Sequence, residues 1–269
     1  MATLTLHNGD CLEVMKEIAD KSVDLIICDL PYGCLSSGKP LPEDSHKKYG
    51  NSPNKSYSGC AWDVKIDLTK FWEQVKRIRR NDNTPTLHFA TTKFGYELIK
   101  SNEAEFRYDL IWDKGRGVSF LQVNKMPMRS HEMIYVFSKS GAYYNRVDIS
   151  GNFKAFKSFE REYQFDKNRH GGNNRIHKAE GNDGTKRCAL SIINVANSAK
   201  KGNHPTEKPS DLYKWLIERY CPAEGTVLDP TAGSCNSVFQ AFAMGRSGIG
   251  IEKDAIFYKK AEERLNALP

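Results

Sequence analysis

A strand-like run, Val23-Asp24-Leu25-Ile26-Ile27-Cys28, leads straight into Asp29-Leu30-Pro31-Tyr32-Gly33. In open α/β sheets ligands bind beyond the carboxyl ends of strands, so Asp29 stands where chemistry is expected. Pro31 fixes one φ angle, Tyr32 offers a flat aromatic face and Gly33 lets the chain leave sharply. A carboxylate acceptor beside a stacking surface suits a planar ring with an exocyclic amine, such as an extruded nucleic-acid base. Standing alone, the same five residues also read as an ordinary turn.

They do not stand alone. Val227-Leu228-Asp229-Pro230-Thr231-Ala232-Gly233-Ser234 again puts an acid and a glycine turn after a strand and before a helix. Such a turn presents backbone N–H groups and a helix N-terminus to a nucleoside or a carboxylate. Roughly 20 residues on, Ile249-Gly250-Ile251 ends in Glu252, an acid placed to hold ribose hydroxyls. The Gly-x-Gly-x-x-Gly cradle of a dinucleotide is absent, which disfavours a nicotinamide cofactor.

The elements that must position these residues follow an α/β pattern, with short apolar runs alternating with amphipathic stretches. Strands are expected at Leu4–His7, Val23–Cys28, Thr86–Ala90, Tyr108–Trp112, Met133–Phe137, Ser191–Val195, Thr226–Leu228 and Gly248–Ile251. Helices are expected at Cys11–Ile18, Leu68–Arg79, Phe94–Lys100, Pro209–Tyr220, Ser237–Met244 and Ala255–Leu265. Together these make a mostly parallel sheet of seven or eight strands with helices on both faces. Two segments break the pattern. Cys34–Ala61 is polar, rich in Gly, Ser and Pro, and too long for a simple connector. Gly141–Arg187 mixes glycines and aromatics with basic residues and reads as an insertion. The chain is thus expected to comprise a first core half (1–140), an inserted region (141–187) and a second core half (188–269).

The net charge of +7 is concentrated in place. Residues 141–203 hold twelve Lys and Arg against six Asp and Glu, which leaves the rest of the chain nearly neutral. Localised positive charge beside aromatics suits phosphate neutralisation by a nucleic-acid-binding module, as well as a solvated face. Seven cysteines without a Cys-x-x-Cys pair, and histidines without ligand spacing, indicate neither a disulfide framework nor a metal site. No run approaches the roughly 20 apolar residues of a membrane span, and a cytoplasmic protein of a bacterium or phage-infected host cell is expected.

The combination resembles the amino-methyltransferases of DNA in their permuted (β-type) arrangement, where the catalytic motif precedes the cofactor motif. The stretches that carry the resemblance are Asn8-Gly9-Asp10-Cys11-Leu12, Asp29-Leu30-Pro31-Tyr32-Gly33, Trp62-Asp63 with Ile66-Asp67-Leu68, and Ile111-Trp112-Asp113-Lys114. They continue in His131-Glu132-Met133-Ile134, His204-Pro205-Thr206-Glu207-Lys208-Pro209, and Leu228-Asp229-Pro230 through Gly233-Ser234. The His-Pro-Thr-Glu-Lys-Pro run is the most discriminating. Matching stretches cover nearly everything outside the insertion and the Cys34–Ala61 loop.

The resemblance implies a Rossmann-like fold, S-adenosylmethionine as methyl donor and a flipped base in double-stranded DNA as acceptor. It assigns catalysis to Asp29, Leu30, Pro31 and Tyr32: the Asp29 carboxylate and Leu30 carbonyl accept hydrogen bonds from the target amine, and Tyr32 stacks on the base. It assigns the cofactor to Asp10, Asp29, Thr206, Lys208, Asp229, Thr231, Ala232, Gly233 and Glu252. Within that set, Thr206 and Lys208 reach the methionine carboxylate, Asp229 and Gly233 shape the methionine pocket, Glu252 holds the ribose and Asp10 meets the adenine amine. The insertion occupies the place of the target-recognition region, where Lys154, Lys157, Arg161, Arg169, Arg175 and Arg187 would contact DNA.

Departures from the family pattern fall at Leu30, where many relatives have a second Pro, at Thr231, where they carry Phe, and at Cys235, where they carry Gly. The last bears on how closely the backbone approaches the cofactor. Asp at the first motif position favours adenine N6 as the target, with cytosine N4 as the alternative. Cytosine C5 chemistry needs a Pro-Cys nucleophile, and the chain has only Cys221-Pro222, in the wrong order. A silent DNA-binding subunit and an RNA methylase are the other readings, and the resemblance leaves a homodimer and a cognate restriction endonuclease open as partners.

Overall fold

The computed structural model describes residues 2–31, 65–118, 120, 123–163, 175–197 and 207–268. These fall into two compact units, Met1–Asn145 with Ser191–Pro269, and Arg146–Leu190. The smaller unit starts after Asn145 because the preceding residues still bond to the core: the Tyr143 N–H donates to the Asn83 carbonyl at 2.8 Å and the Asn145 N–H to the Arg219 carbonyl at 2.7 Å.

The larger unit opens with β1 (Leu4–Asn8), α1 (Cys11–Val14), β2 (Leu25–Cys28), α2 (Leu68–Ile78), β3 (Thr86–Ala90), α3 (Thr92–Ser101), β4 (Phe106–Val118) and β5 (Arg129–Phe137). The smaller unit holds β6 (Ile149–Ser150), β7 (Phe159–Tyr163), β8 (Arg175–Ala179) and β9 (Lys186–Arg187), in which β6 pairs with β9 and β7 with β8. The chain then returns with β10 (Ile192–Asn194), α4 (Ser210–Tyr220), β11 (Thr226–Asp229), α5 (Asn236–Ala243), β12 (Ser247–Glu252) and α6 (Ala255–Asn266).

Eight of these strands form one sheet in the order β1-β12-β11-β2-β3-β5-β4-β10, and only β5 runs against its neighbours. Period-two alternation splits the core into two layers. Ile26 and Cys28 pack with Phe71, Val75 and Ile78 of α2, whereas Leu25 and Ile27 pack with Leu212, Leu216 and Ile217 of α4. Four of the six described α-helices start where a side chain can accept from free N–H groups: Asp10 caps α1, Asp67 caps α2, Thr91 caps α3 and Asp254 caps α6. The mostly parallel sheet flanked by helices matches the expected class, and every expected strand is present. Two expectations need correction. The helix over Cys11–Ile18 is only one turn of α-helix followed by a 3-10 turn at Met15–Glu17. Strands β4 and β5 run well past Tyr108–Trp112 and Met133–Phe137; the added residues are mostly polar, with two glycines in β4, and carry no apolar period by which the sequence would show them. No described helix is long and apolar enough to cross a membrane.

His88 in β3 has no exposed surface, and neither ring nitrogen has a hydrogen-bond partner among the described residues. Phe71, Trp72 and Phe137 meet its ring edge-on at 5.2–5.5 Å. Burial pushes its pKa down to about 3. Because the folded value lies below the unfolded one, this site's contribution is intact above about pH 6.5 and is lost as pH falls toward 3. Between pH 7 and pH 4 that loss is about 3 kcal/mol. His88→Phe is therefore expected to flatten the acid limb of a stability profile measured by chemical denaturation, with little change at pH 8.

Candidate active site

The crossovers from β2 through α2 to β3 and from β11 through α5 to β12 lead away from each other along the sheet. The gap between the carboxyl ends of β2 and β11 is therefore a topological switch point. Asp24 fixes this neighbourhood from the far end of the strands: its carboxylate accepts from the Thr226 N–H at 2.9 Å and from Arg80 Nε at 2.5 Å. With Val227 level with Leu25 and Leu228 with Ile26, Asp229 ends its strand level with Ile27, and Asp29 follows two residues further along the neighbouring strand.

Asp29 meets Lys208 Nζ directly in a salt bridge, with Lys208 almost fully buried. The same ammonium stands 3.9 Å from a Glu132 carboxylate oxygen and 4.4 Å from the centre of the Phe89 ring. Lys114 of β4 pairs with Glu132 from the other side. Glu132 enters the site because β5 is antiparallel, which brings its first residues to the edge where the parallel strands end. Burial alone would lower the Lys208 pKa, but Asp29 and Glu132 outweigh it and hold the ammonium above its usual range. Burial likewise pushes Glu132 up, and Lys208 and Lys114 more than reverse it. Leu30 is buried and Pro31 half-buried.

The Asp229 carboxylate accepts from the Thr231 N–H at 3.1 Å and from the Ser237 hydroxyl. Burial pushes it up to about 7, reinforced by Asp29 and opposed by those hydrogen bonds and Lys208. The chain turns through Gly233 at φ 53° and Cys235 at φ 59° before α5 begins. Cys235 thus adopts the left-handed conformation that favours glycine, at the position where the family pattern carries one; its buried thiol is held there at a backbone strain of about 1–2 kcal/mol. Glu252 folds over the same turn, accepting from the Gly233 N–H at 2.7 Å and the Asp254 N–H at 2.7 Å, and burial raises its pKa. Asp10 caps Leu12 at 3.0 Å and meets Lys253 Nζ at 3.0 Å. Burial would raise its carboxyl, but the Lys253 and Leu12 hydrogen bonds bring it below the usual range.

Asp10, Glu252, Asp229 and Asp29 therefore stand in one row along the edge formed by β1, β12, β11 and β2. The donor set fits a cationic nucleoside cofactor. Buried Asp229 and half-buried Glu252, both with raised pKa values, welcome positive charge, and the Thr231 hydroxyl lies buried without a hydrogen-bond partner among the described residues.

The DNA methylase family, that of the N6- and N4-amino methyltransferases, matches residues 23–263. The chain belongs to that family. It is 32% identical to the type II methyltransferase M2.LlaDCHI of Lactococcus lactis subsp. cremoris over 97% of its own length and 88% of that protein's. It is 26% identical to the type II methyltransferase M.HinfI of Haemophilus influenzae over 98% of its length and 68% of that protein's. Its fold is like that of the PvuII DNA methyltransferase, a cytosine-N4-specific enzyme, with a TM-score of 0.62 at 16% identity over all of this chain and 89% of that one.

Within this DNA methylase, Tyr32, Thr206 and Arg169 lie outside the described residues. Asp29, Lys208, Asp229 and Gly233 come together, and Ala232 is buried behind the turn. Sequence reasoning gave no role to Glu132, Lys114 or Ser237. The first two were quoted within family motifs, and the signal was there; Ser237 had none. In the smaller unit, Lys154, Lys157 and Arg187 are exposed, and Arg187 lies 4.4 Å over the Phe153 ring. Strands β7 and β8 place Arg161 opposite His177 and Tyr163 opposite Arg175.

Proposed function

We propose that this DNA methylase transfers a methyl group to the N6 amine of an adenine extruded from duplex DNA, with S-adenosylmethionine as donor. The observation that carries the reading is the Asp29 carboxylate, held by buried Lys208 at the switch point beside the Asp229–Gly233 turn. When bound, S-adenosylmethionine supplies a methyl group on a sulfonium, so good a leaving group that no covalent enzyme intermediate is needed. What remains for the protein is positioning and charge stabilisation. Asp29 and the Leu30 carbonyl accept from the target amine and aim its lone pair. As positive charge grows on nitrogen, Asp29 stabilises it, and the surplus proton leaves toward that carboxylate or water. Asp229, Gly233 and Glu252 hold the donor, with Asp10 and Thr206 completing the set, Lys208 holds Asp29, and the basic side chains of the smaller unit bind phosphates and base edges.

Asp at the first position of the motif supports adenine; cytosine N4 presents its amine to the same geometry and is the second reading. Incubating the chain with mixed-sequence duplex DNA and labelled S-adenosylmethionine, digesting to deoxynucleosides and separating N6-methyl-2′-deoxyadenosine from N4-methyl-2′-deoxycytidine decides between them. Label in adenine is expected; label only in cytosine overturns the base assignment, and label in neither overturns the enzyme reading.

The Asp229 environment adds a pH dependence. Cofactor cations favour the ionised acid, so affinity for S-adenosylmethionine rises with pH up to about 7, by up to about tenfold per unit below that point. Titration calorimetry from pH 5.5 to 7.5 should show this slope in the native chain and a flat profile in Asp229→Asn.

A further inference from the structure

The β4–β5 hairpin continues past the sheet in a direction the catalytic cluster does not use. Glu132 faces Trp112 in the ladder, and Val118 still pairs with Arg129 three residues further out, roughly 10 Å beyond the site. Gly117 permits this: a Cβ there would stand 2.7 Å from that of Met128 on the opposite strand. Beyond that pair every described residue from Phe120 to Met128 is exposed, and Phe120, Val123, Met126 and Met128 are apolar. Phe120 is 70% exposed. Between Lys114 and His131 the chain carries Arg116, Lys125 and Arg129 and no acidic residue.

An exposed apolar tip with cationic flanks calls for a partner that is anionic outside and apolar inside. A membrane surface also has that character, but this tip grows out of the strands that carry Glu132 and Lys114. A base held at Asp29 leaves an unstacked gap in its duplex one nucleotide's reach away, and apolar side chains that enter DNA between base steps are an established way to fill such gaps.

We propose that the β4–β5 tip is the wedge of this enzyme: Phe120 enters the duplex where the target base has left, while Arg116, Lys125 and Arg129 meet the flanking phosphates. Phe120 is then a positioning residue, acting on the opened duplex and not on the reacting atoms. The inference needs DNA as substrate and is indifferent to which amine is methylated.

The test uses the full chain, Phe120→Ala and Phe120→Trp, with an oligonucleotide duplex carrying the site mapped from DNA that the native chain has methylated. One duplex is fully paired; in a second the target base faces an abasic position and is already unpaired. Phe120→Ala is expected to lose about 10- to 100-fold in kcat/KM on the paired duplex and less than threefold on the second, with unchanged KM for S-adenosylmethionine and unchanged melting temperature. Phe120→Trp should retain most of the paired-duplex activity. Equal losses on both duplexes, or no loss on the paired one, overturn the wedge. A change in oligomeric state by sedimentation without discrimination between duplexes does so too, and makes the tip a contact between copies of the chain.

Discussion

Asp29→Ala is expected to lower kcat for methyl transfer about 10³-fold, with Kd for S-adenosylmethionine changed only severalfold. The asymmetry follows from where the carboxylate sits. The acids given to the cofactor in the proposed function are Asp229 and Glu252, and their bonds to the turn do not involve Asp29. What disappears is the acceptor that aims the target amine and stabilises the charge growing on nitrogen. Asp29→Asn is the sharper variant, because it keeps the shape and the Leu30 carbonyl while removing the negative charge. Its expected loss is within about tenfold of that of Asp29→Ala. Nearly full activity in Asp29→Asn would show that geometry alone suffices; equal losses in kcat and cofactor binding would move Asp29 into the cofactor site. Single-turnover rates, with binding measured separately by calorimetry, separate these outcomes.

How much of this was legible in the sequence depends on whether a residue's role is local. Val23–Cys28, Thr86–Ala90 and Thr226–Leu228 were readable as strands, because apolar runs bounded by turn residues have few other solutions. The acids that end the first and last of those runs, Asp29 and Asp229, were readable for the same reason. Asp67 and Asp254 announce their helices by sequence alone. The outer halves of β4 and β5 were not readable, since their buried and half-buried positions are filled by polar residues such as Lys114, His131 and Glu132, which impose no apolar period. Nor was the partner of Asp29: Lys208 lies 179 positions away, and only the parallel placement of β2 beside β11 brings the segment before α4 over it. Cys235 shows the intermediate case. Its departure from the family's glycine was visible in the sequence, while its φ of 59° emerges only when the turn is built.

Lys208 carries the other large effect. The family resemblance gives it the methionine carboxylate, whereas the structure places its ammonium against Asp29, with Glu132 at 3.9 Å and Asp229 close enough to act on it. Lys208→Met fills a similar volume and removes the charge, leaving three acids converging on a buried space. Removing one partner of a buried ion pair typically destabilises by about 3–5 kcal/mol, and that loss is expected by denaturation at pH 8. The sign of its pH dependence follows from the acids. Lys208 and Lys114 hold Glu132 below its usual range, so that stabilisation exists above the ordinary carboxylate pKa and fades as pH falls. Without the lysine, Asp229 loses an opposing cation and takes up its proton more readily, so the gap between variant and native chain should narrow from pH 8 to pH 5.5. Kinetics distinguish the two roles. If Lys208 positions Asp29, kcat falls about 10²-fold in Lys208→Met while Kd for S-adenosylmethionine shifts little, since converging acids do not repel a cationic cofactor. A large rise in Kd with kcat preserved would return Lys208 to the methionine carboxylate and remove it as the group that positions Asp29.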